Sequence, residues 1–188
     1  MQNPMLERLL NMPVIAAVKN MDGLKQAIRS PSSVVFILFG DLCNISILVR
    51  HVKEAGKLAI VHLDLIDGMN CRETSVRFLK ENVKADGIIS TRAQLIRYAK
   101  EIGMITVHRH FLLDSMSLEN AEKHIMEKTA DFNEILPGVM PKIIRRCVAE
   151  TDLPIIAGGM ISDKEDILVA LGAGATAVST TKESLWSA

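Results

Sequence analysis

Eight short apolar runs, separated by stretches of helical character, constrain the fold of this chain more than any other feature. They cover residues 13–18, 34–39, 58–64, 86–90, 104–109, 132–136, 154–159 and 176–180. The segments between them repeat apolar residues with the helical period of about 3.6, as in Leu95, Ile96, Ala99 and Ile102. Regular alternation of strand and helix predicts a parallel sheet covered by helices. Eight such units are the number found in a (β/α)8 barrel of the TIM type.

The size of the chain favours a single domain over residues 1–188. Barrels of this type usually have about 250 residues, with a lower end near 200, so we expect a compact barrel with minimal loops. The first helix (20–29) and the last (181–187) are the weakest of the predicted helices, and the last has room for only a turn or two. A doubly wound open sheet is the alternative that this pattern leaves open.

The segment 154–181 carries the clearest signal for a binding site. One predicted strand runs into Gly158 and Gly159, where the missing side chains let a ligand approach the backbone closely. The next strand ends in Ser179, Thr180 and Thr181, where the last helix is expected to begin. Loops after the seventh and eighth strands of such barrels commonly hold a phosphate, because unpaired backbone N–H groups and a helix N-terminus converge on the anion. We therefore predict that these five residues bind a phosphate-bearing small molecule.

Polar residues at the ends of other predicted strands form the second wall of this candidate site. They are Lys19, Asp64, Asp67, Arg109 and Glu134. Glu134 interrupts an apolar strand with a charge that requires a partner, and either Lys19 or Arg109 can supply it. We predict that these five residues bind the part of the ligand that is not phosphate.

Alternation along the strands predicts which of these side chains point into the barrel. On the third strand His62 is expected inside, on the same face as Asp64. On the fifth strand His108 and His110 share one face and Arg109 lies on the other. We therefore expect Arg109 to reach the centre of the barrel only from beyond the strand end.

Composition argues against several other classes of protein. The formal net charge is zero, whereas nucleic-acid-binding domains usually carry a basic excess. The three cysteines and five histidines show no zinc-binding spacing, so we predict neither a metal site nor a cofactor. The N-terminal residues lack the pattern of a secretory signal, and no apolar run approaches the length of a membrane span. A cytoplasmic protein without a membrane partner is expected.

Eight segments, one in each predicted unit, carry a resemblance to a known family. They read PVIAAVKN, VVFILFGDL, VHLDLIDGM, DGIISTRAQLI, HRHFLLDS, EILPGVMPKII, PIIAGGMI and AVSTTKESLW. In this order they resemble the glycerol uptake operon antiterminator regulatory proteins. The resemblance implies a cytoplasmic regulator that senses glycerol 3-phosphate and acts on leader mRNA so that transcription passes a terminator. One difference is the histidine-rich HRHF, which leaves His108 and His110 without an assigned role.

The resemblance implies an effector and an RNA, and residues of the sequence offer candidate contacts for both. The phosphate would lie on the glycines and hydroxyl residues of 158–181, and the two hydroxyl groups of the ligand would meet Asp64, Glu134 or Lys19. The candidate RNA-binding residues form a basic cluster in one predicted helix: Lys142, Arg145 and Arg146. A ligand-driven homo-oligomer is left open.

An enzyme is the alternative to a regulator. A charged barrel mouth also suits an isomerase or aldolase that acts on a small sugar or triose phosphate. Lys19, Asp64 or Glu134 would then serve as acid, base or Schiff-base nucleophile. In a regulator none of these residues is catalytic, and a barrel fold by itself does not decide between the two.

Overall fold

The eight apolar runs form the parallel strands of a closed barrel in the computed structural model of the protein, which describes residues 3–187. The strands are β1 (Val14–Val18), β2 (Val34–Ile37), β3 (Leu58–His62), β4 (Gly87–Ser90), β5 (Ile105–Phe111), β6 (Phe132–Leu136), β7 (Ile155–Gly158) and β8 (Ala177–Thr180). Each strand pairs with the next, and β8 pairs with β1, where Val14 lies opposite Val178. This closed order confirms the (β/α)8 barrel and excludes the open doubly wound sheet.

Helices surround the barrel and connect its strands. They are α1 (Pro4–Asn11), α2 (Met21–Arg29), α3 (Ile45–Glu54), α4 (Glu73–Phe78), α5 (Ala93–Glu101), α6 (Ser115–Met126), α7 (Pro141–Ala149) and α8 (Lys164–Gly172). A π-helical turn over Leu79–Val83 extends α4. Among the described residues no helix has the length and apolar character needed to cross a membrane.

The segment after β8 is shorter than a helix. It forms a single 3-10 turn over Glu183–Leu185. The indole N–H of Trp186 donates to the carbonyl of Thr180 at 2.9 Å and holds the turn against the barrel. The helix N-terminus that we expected beside Thr181 is therefore absent from this described segment.

Helix α1, which precedes the first strand, was missed by the sequence reasoning. Met5 and Leu9 belong to the same apolar cluster as the interior side chains of the barrel, including Val34 and Leu58 at the starts of β2 and β3. The helix therefore closes the N-terminal end of the barrel. Its signals were present in the sequence, because the Asn3 side chain caps it and a proline occupies its first turn.

Side chains alternate between two apolar layers, as predicted. Ile15 and Ile60 lie in the barrel interior, whereas Ala16 and Val61 pack between the strands and the helices. Since α1 covers the N-terminal end, the C-terminal ends of the strands form the open mouth of the barrel. Any group that follows a strand is therefore displayed at this mouth.

Candidate functional site

A small cavity opens at the mouth of the barrel. Its volume is about 110 Å³, and it is lined by Ala17, Leu38, Arg109, Leu136, Gly159, Met160, Ile161, Ser179, Thr180 and Thr181. Pockets for drug-sized ligands typically measure about 300–1,000 Å³, so this one suits a smaller molecule. Four of the five residues predicted to bind phosphate thus contribute to one cavity, and the fifth, Gly158, is outside its lining.

Several residues that line this cavity have unpaired backbone N–H groups. Within residues 3–187, the N–H groups of Gly159, Met160, Ile161 and Thr181 donate to no protein acceptor. The chain turns sharply here, because Gly159 and Met160 have positive φ angles of 75° and 63°. Met160 adopts this left-handed conformation although it has a side chain, which costs about 1–2 kcal/mol. A group of free N–H donors around a cavity is an environment that favours an anion.

A buried ion pair supports the wall of the cavity. Glu134 is fully buried, and its Oε2 accepts a hydrogen bond from Nε of Arg109 at 2.6 Å. Its Oε1 accepts from the hydroxyl of Ser179 at 2.5 Å. The predicted need of Glu134 for a basic partner is confirmed, and the partner is Arg109. Only Nε of Arg109 is used, so its Nη1 and Nη2 have no protein acceptor among the described residues.

The prediction for the orientation of Arg109 was wrong. Its neighbour on the same face, Val107, lies in the barrel interior, and the Arg109 side chain is only 7% exposed. Arg109 therefore enters the barrel directly rather than from beyond the strand end. Parity correctly separated it from His108 and His110, but parity does not tell which face is the interior. Those two histidines face the surrounding helices instead.

Gly158 makes room for the buried network. A Cβ atom at this position would lie 2.5 Å from Oε1 of Glu134 and 2.6 Å from Oγ of Ser179. Both distances are far below van der Waals contact, so only glycine allows the carboxylate and the hydroxyl to meet. The two consecutive glycines thus have different roles, since Gly159 is required by its positive φ angle.

Of the five residues predicted for the second wall, Arg109 lines the cavity, whereas Glu134, Lys19, Asp64 and Asp67 lie outside its lining. Asp64 accepts hydrogen bonds from the Ser90 hydroxyl at 2.8 Å, and from the Thr91 N–H and hydroxyl at 2.8 and 2.9 Å. Burial raises the pKa of Asp64, but the hydrogen bonds from Thr91 and Ser90 lower it by more, so the net shift is downward. Asp67 forms a backbone bridge to the loop after β2. Lys19 is exposed, and no ion pair involving it occurs among the described residues.

His62 lies inside the barrel, as predicted. It is 3% exposed, and its Nδ1 has no hydrogen-bond partner in the described part of the chain. Burial and the nearby Arg109 guanidinium lower the pKa of His62 to about 4, although Asp64 and Glu134 oppose this shift. The imidazole is therefore neutral at physiological pH.

The basic cluster predicted for RNA lies on α7. Lys142 and Arg145 are exposed, and neither takes part in an ion pair within residues 3–187. Arg146 instead binds Glu122 of α6, with Nη2 and Oε2 2.8 Å apart. The charge of Arg146 is thus neutralised within the protein, and two of the three predicted residues remain available.

The fold and the cavity define the class of protein: a small (β/α)8 barrel with a donor-lined cavity at the ends of β7 and β8. A family model described as glycerol-3-phosphate responsive antiterminator matches residues 14–186. The chain belongs to this family, which confirms the resemblance found in the sequence. The family is a regulatory one, in agreement with the prediction that this chain is not an enzyme.

The similar proteins each match more than nine-tenths of the chain. YgcP, an uncharacterised protein of Escherichia coli K12, is 41% identical over 184 residues, which are 98% of this chain and 96% of that protein. The crystal structure of the glycerol uptake operon antiterminator regulatory protein of Listeria monocytogenes has a TM-score of 0.90 and 29% identity, and the match covers 94% of this chain and 95% of that one. An antiterminator-related protein of Thermotoga maritima has a TM-score of 0.80 and 31% identity, with 92% and 96% covered.

Proposed function

We propose that this protein is a cytoplasmic antiterminator that binds glycerol 3-phosphate at the barrel mouth and acts on leader mRNA of genes for glycerol uptake. The observation that carries the proposal is the cavity lined by residues 159–161 and Thr181, whose backbone N–H groups are free within the described chain. A phosphate monoester carries roughly −1.5 to −2 charges at neutral pH and three strong acceptor oxygens. Those three oxygens can each accept hydrogen bonds, and these four free N–H donors are present at the cavity.

Arg109 and Ser179 are placed to bind the rest of the effector. The Nη atoms of Arg109 have no protein acceptor among the described residues, and the oxygen of Ser179 retains lone pairs after donating to Glu134. Both oxygens of Glu134 already accept hydrogen bonds within the protein, so this carboxylate holds Arg109 and Ser179 in position. In this proposal Lys19, Asp64 and Asp67 make no direct contact with the ligand.

Thermal unfolding with candidate ligands tests the phosphate site. At a concentration of about 100 times Kd, a ligand that binds only the folded state adds roughly 2.7 kcal/mol of stability. For a domain of this size that corresponds to a rise in Tm of about 5–10 °C. We expect this rise with glycerol 3-phosphate and almost none with glycerol, which lacks the anion. Equal shifts with both compounds, or none with either, would refute the proposed site.

A pair of substitutions at Thr181 separates charge from shape. Thr181 is exposed, so neither Thr181→Glu nor Thr181→Gln should affect folding. A carboxylate about 5 Å from the phosphate repels it by roughly 3 kcal/mol per unit charge at an effective dielectric constant near 20. We expect Thr181→Glu to weaken glycerol 3-phosphate binding by about 100-fold or more, and Thr181→Gln to have a small effect. Equal affinities of the two variants would show that the phosphate lies elsewhere.

The exposed residues of α7 support the RNA part of the proposal. Loss of one basic side chain that contacts an RNA phosphate lowers the affinity for RNA. It also lowers the slope of log affinity against log salt concentration by about one unit. We expect Arg145→Glu to produce this change in leader-RNA binding. Arg77→Glu, on exposed α4, alters the net charge by the same amount and serves as the control. Equal losses in the two variants would indicate a nonspecific effect of charge and refute a role for α7.

A further inference from the structure

Three histidines meet on the outer side of the barrel, away from the cavity. His108 and His110 lie on the helix-facing side of β5, and His124 lies on α6. The ring centroids are 4.1 Å apart for His108 and His110, and 5.1 Å apart for His108 and His124. One ring nitrogen from each histidine lies within 4.8 Å of the other two. Such a cluster of imidazoles has no role in the proposed binding of the effector.

The hydrogen bonds of the two strand histidines leave one nitrogen of each ring available. Nε2 of His108 lies 3.4 Å from the carbonyl oxygen of Thr91, and Nε2 of His110 lies 3.1 Å from Oδ1 of Asn133. Because both partners are acceptors, each Nε2 carries the proton and each Nδ1 carries a lone pair. Nδ1 of His108 is buried and has no partner among the described residues. A buried lone pair without a donor is unfavourable unless a bound group accepts it.

Histidines at metal sites in proteins have the same pattern of hydrogen bonds. A histidine that binds a metal through one nitrogen usually donates the other N–H to a carbonyl or carboxylate oxygen, which fixes the tautomer and the ring orientation. Thr91 and Asn133 supply such oxygens here. We propose that His108, His110 and His124 bind a divalent transition-metal ion of the class that prefers imidazole, such as Zn²⁺, with water in the remaining position.

The ring nitrogens lie within 4.8 Å of one another, which is farther apart than such an ion requires. Zn–N bonds of about 2.0–2.1 Å in tetrahedral geometry place ligating nitrogens roughly 3.3 Å apart. The nitrogens must therefore approach each other by up to about 1.5 Å, which small rotations of two rings can share. The nearby positive charge of Arg97 is offset by Glu127, whose Oε2 lies 3.2 Å from Nη2 of Arg97. An ion here would join β5 to α6 on the side of the strand opposite Arg109.

Titration of the chelator-treated full-length protein with Co²⁺ and Zn²⁺ tests this site. We expect one ion per chain, visible absorption bands of Co²⁺ bound by nitrogen ligands, and a rise in Tm with Zn²⁺. His124 is only half-buried on α6, so His124→Ala should fold normally, as circular dichroism can verify. The metal affinity of this variant should be at least tenfold lower. Even the loss of a group that only hydrogen-bonds to a metal ligand lowers metal affinity by about 10–100-fold.

His51→Ala provides the matched control. His51 lies on α3, outside the cluster, and its replacement should leave metal affinity unchanged. The exposed Cys43 offers a competing ligand, and a thiolate on Co²⁺ would add a charge-transfer band in the near ultraviolet. No binding at stoichiometric metal, binding that persists in His124→Ala, or a thiolate band would each overturn the proposal.

Discussion

Replacement of Gly158 by alanine tests the buried network behind the cavity. The added methyl group would lie 2.5 Å from Oε1 of Glu134 and 2.6 Å from Oγ of Ser179. These atoms are themselves 2.5 Å apart in a hydrogen bond, so the methyl group would contact both partners of one interaction. We expect Gly158→Ala to destabilise the protein because the carboxylate and the hydroxyl cannot both keep their places.

The cost follows from the two ways in which the structure can respond. If Glu134 moves, it loses the bond from Ser179, and a hydrogen bond to a charged group contributes about 1.5–3 kcal/mol. If the backbone of β7 moves instead, overpacking costs about 1–3 kcal/mol. The two responses together predict a loss of roughly 1–3 kcal/mol in the free energy of unfolding. For a chain of this length the Tm should fall by about 2–12 °C.

Urea denaturation followed by circular dichroism measures this loss. Gly172→Ala is the matched control, because a Cβ atom at Gly172 has nothing within 4 Å. Gly172 is the last residue of α8, and alanine there should leave stability unchanged or raise it by about 0.5–1 kcal/mol. In a Ser179→Ala background the cost of Gly158→Ala should decrease. A Gly158→Ala variant as stable as the wild type, with the same m value, would refute the role assigned to this glycine.

Three further predictions concern stability. Leu9→Ala should lower the free energy of unfolding, measured in urea, by about 2–5 kcal/mol, because it opens a cavity at the closed end of the barrel. The control Leu10→Ala, on the exposed side of α1, should lower it by less than about 0.5 kcal/mol. Asp64→Asn should cost about 1–3 kcal/mol because an acceptor is replaced by a donor, with faster hydrogen exchange at the Thr91 amide. Acid should destabilise the protein as pH falls from about 6.5 towards 4, since burial lowers the folded-state pKa of three histidines, and the unfolded chain then binds more protons. The three histidines are His62 (pKa about 4), His108 (about 3) and His110 (about 4). Each should add up to about 1.4 kcal/mol per pH unit to the slope of stability against pH. If the free energy of unfolding, measured in the presence of chelator, stayed constant over this pH range, the prediction would be contradicted.

The sequence by itself determined the barrel and the location of its mouth. Eight apolar runs with helical segments between them leave few arrangements, because parallel strands need helical crossovers and both faces of the sheet must be covered. The glycines at the end of β7 and the hydroxyl residues at the end of β8 could also be found, because consecutive parallel strands end side by side. The need of Glu134 for a basic partner was also readable, because a charge within an apolar strand is costly when unpaired.

The tertiary structure alone decided how individual side chains are used. Parity separated Arg109 from His108 and His110, but only the packing of β5 against α6 showed which face is interior, because alternation repeats every two residues and has no absolute direction. The space required at Gly158 depends on Glu134 and Ser179, which come from other strands. The histidine cluster likewise joins a strand to the following helix, so no local spacing reveals it. Features that depend on a single segment can be predicted from the sequence. Features that depend on contacts between distant segments require the tertiary structure.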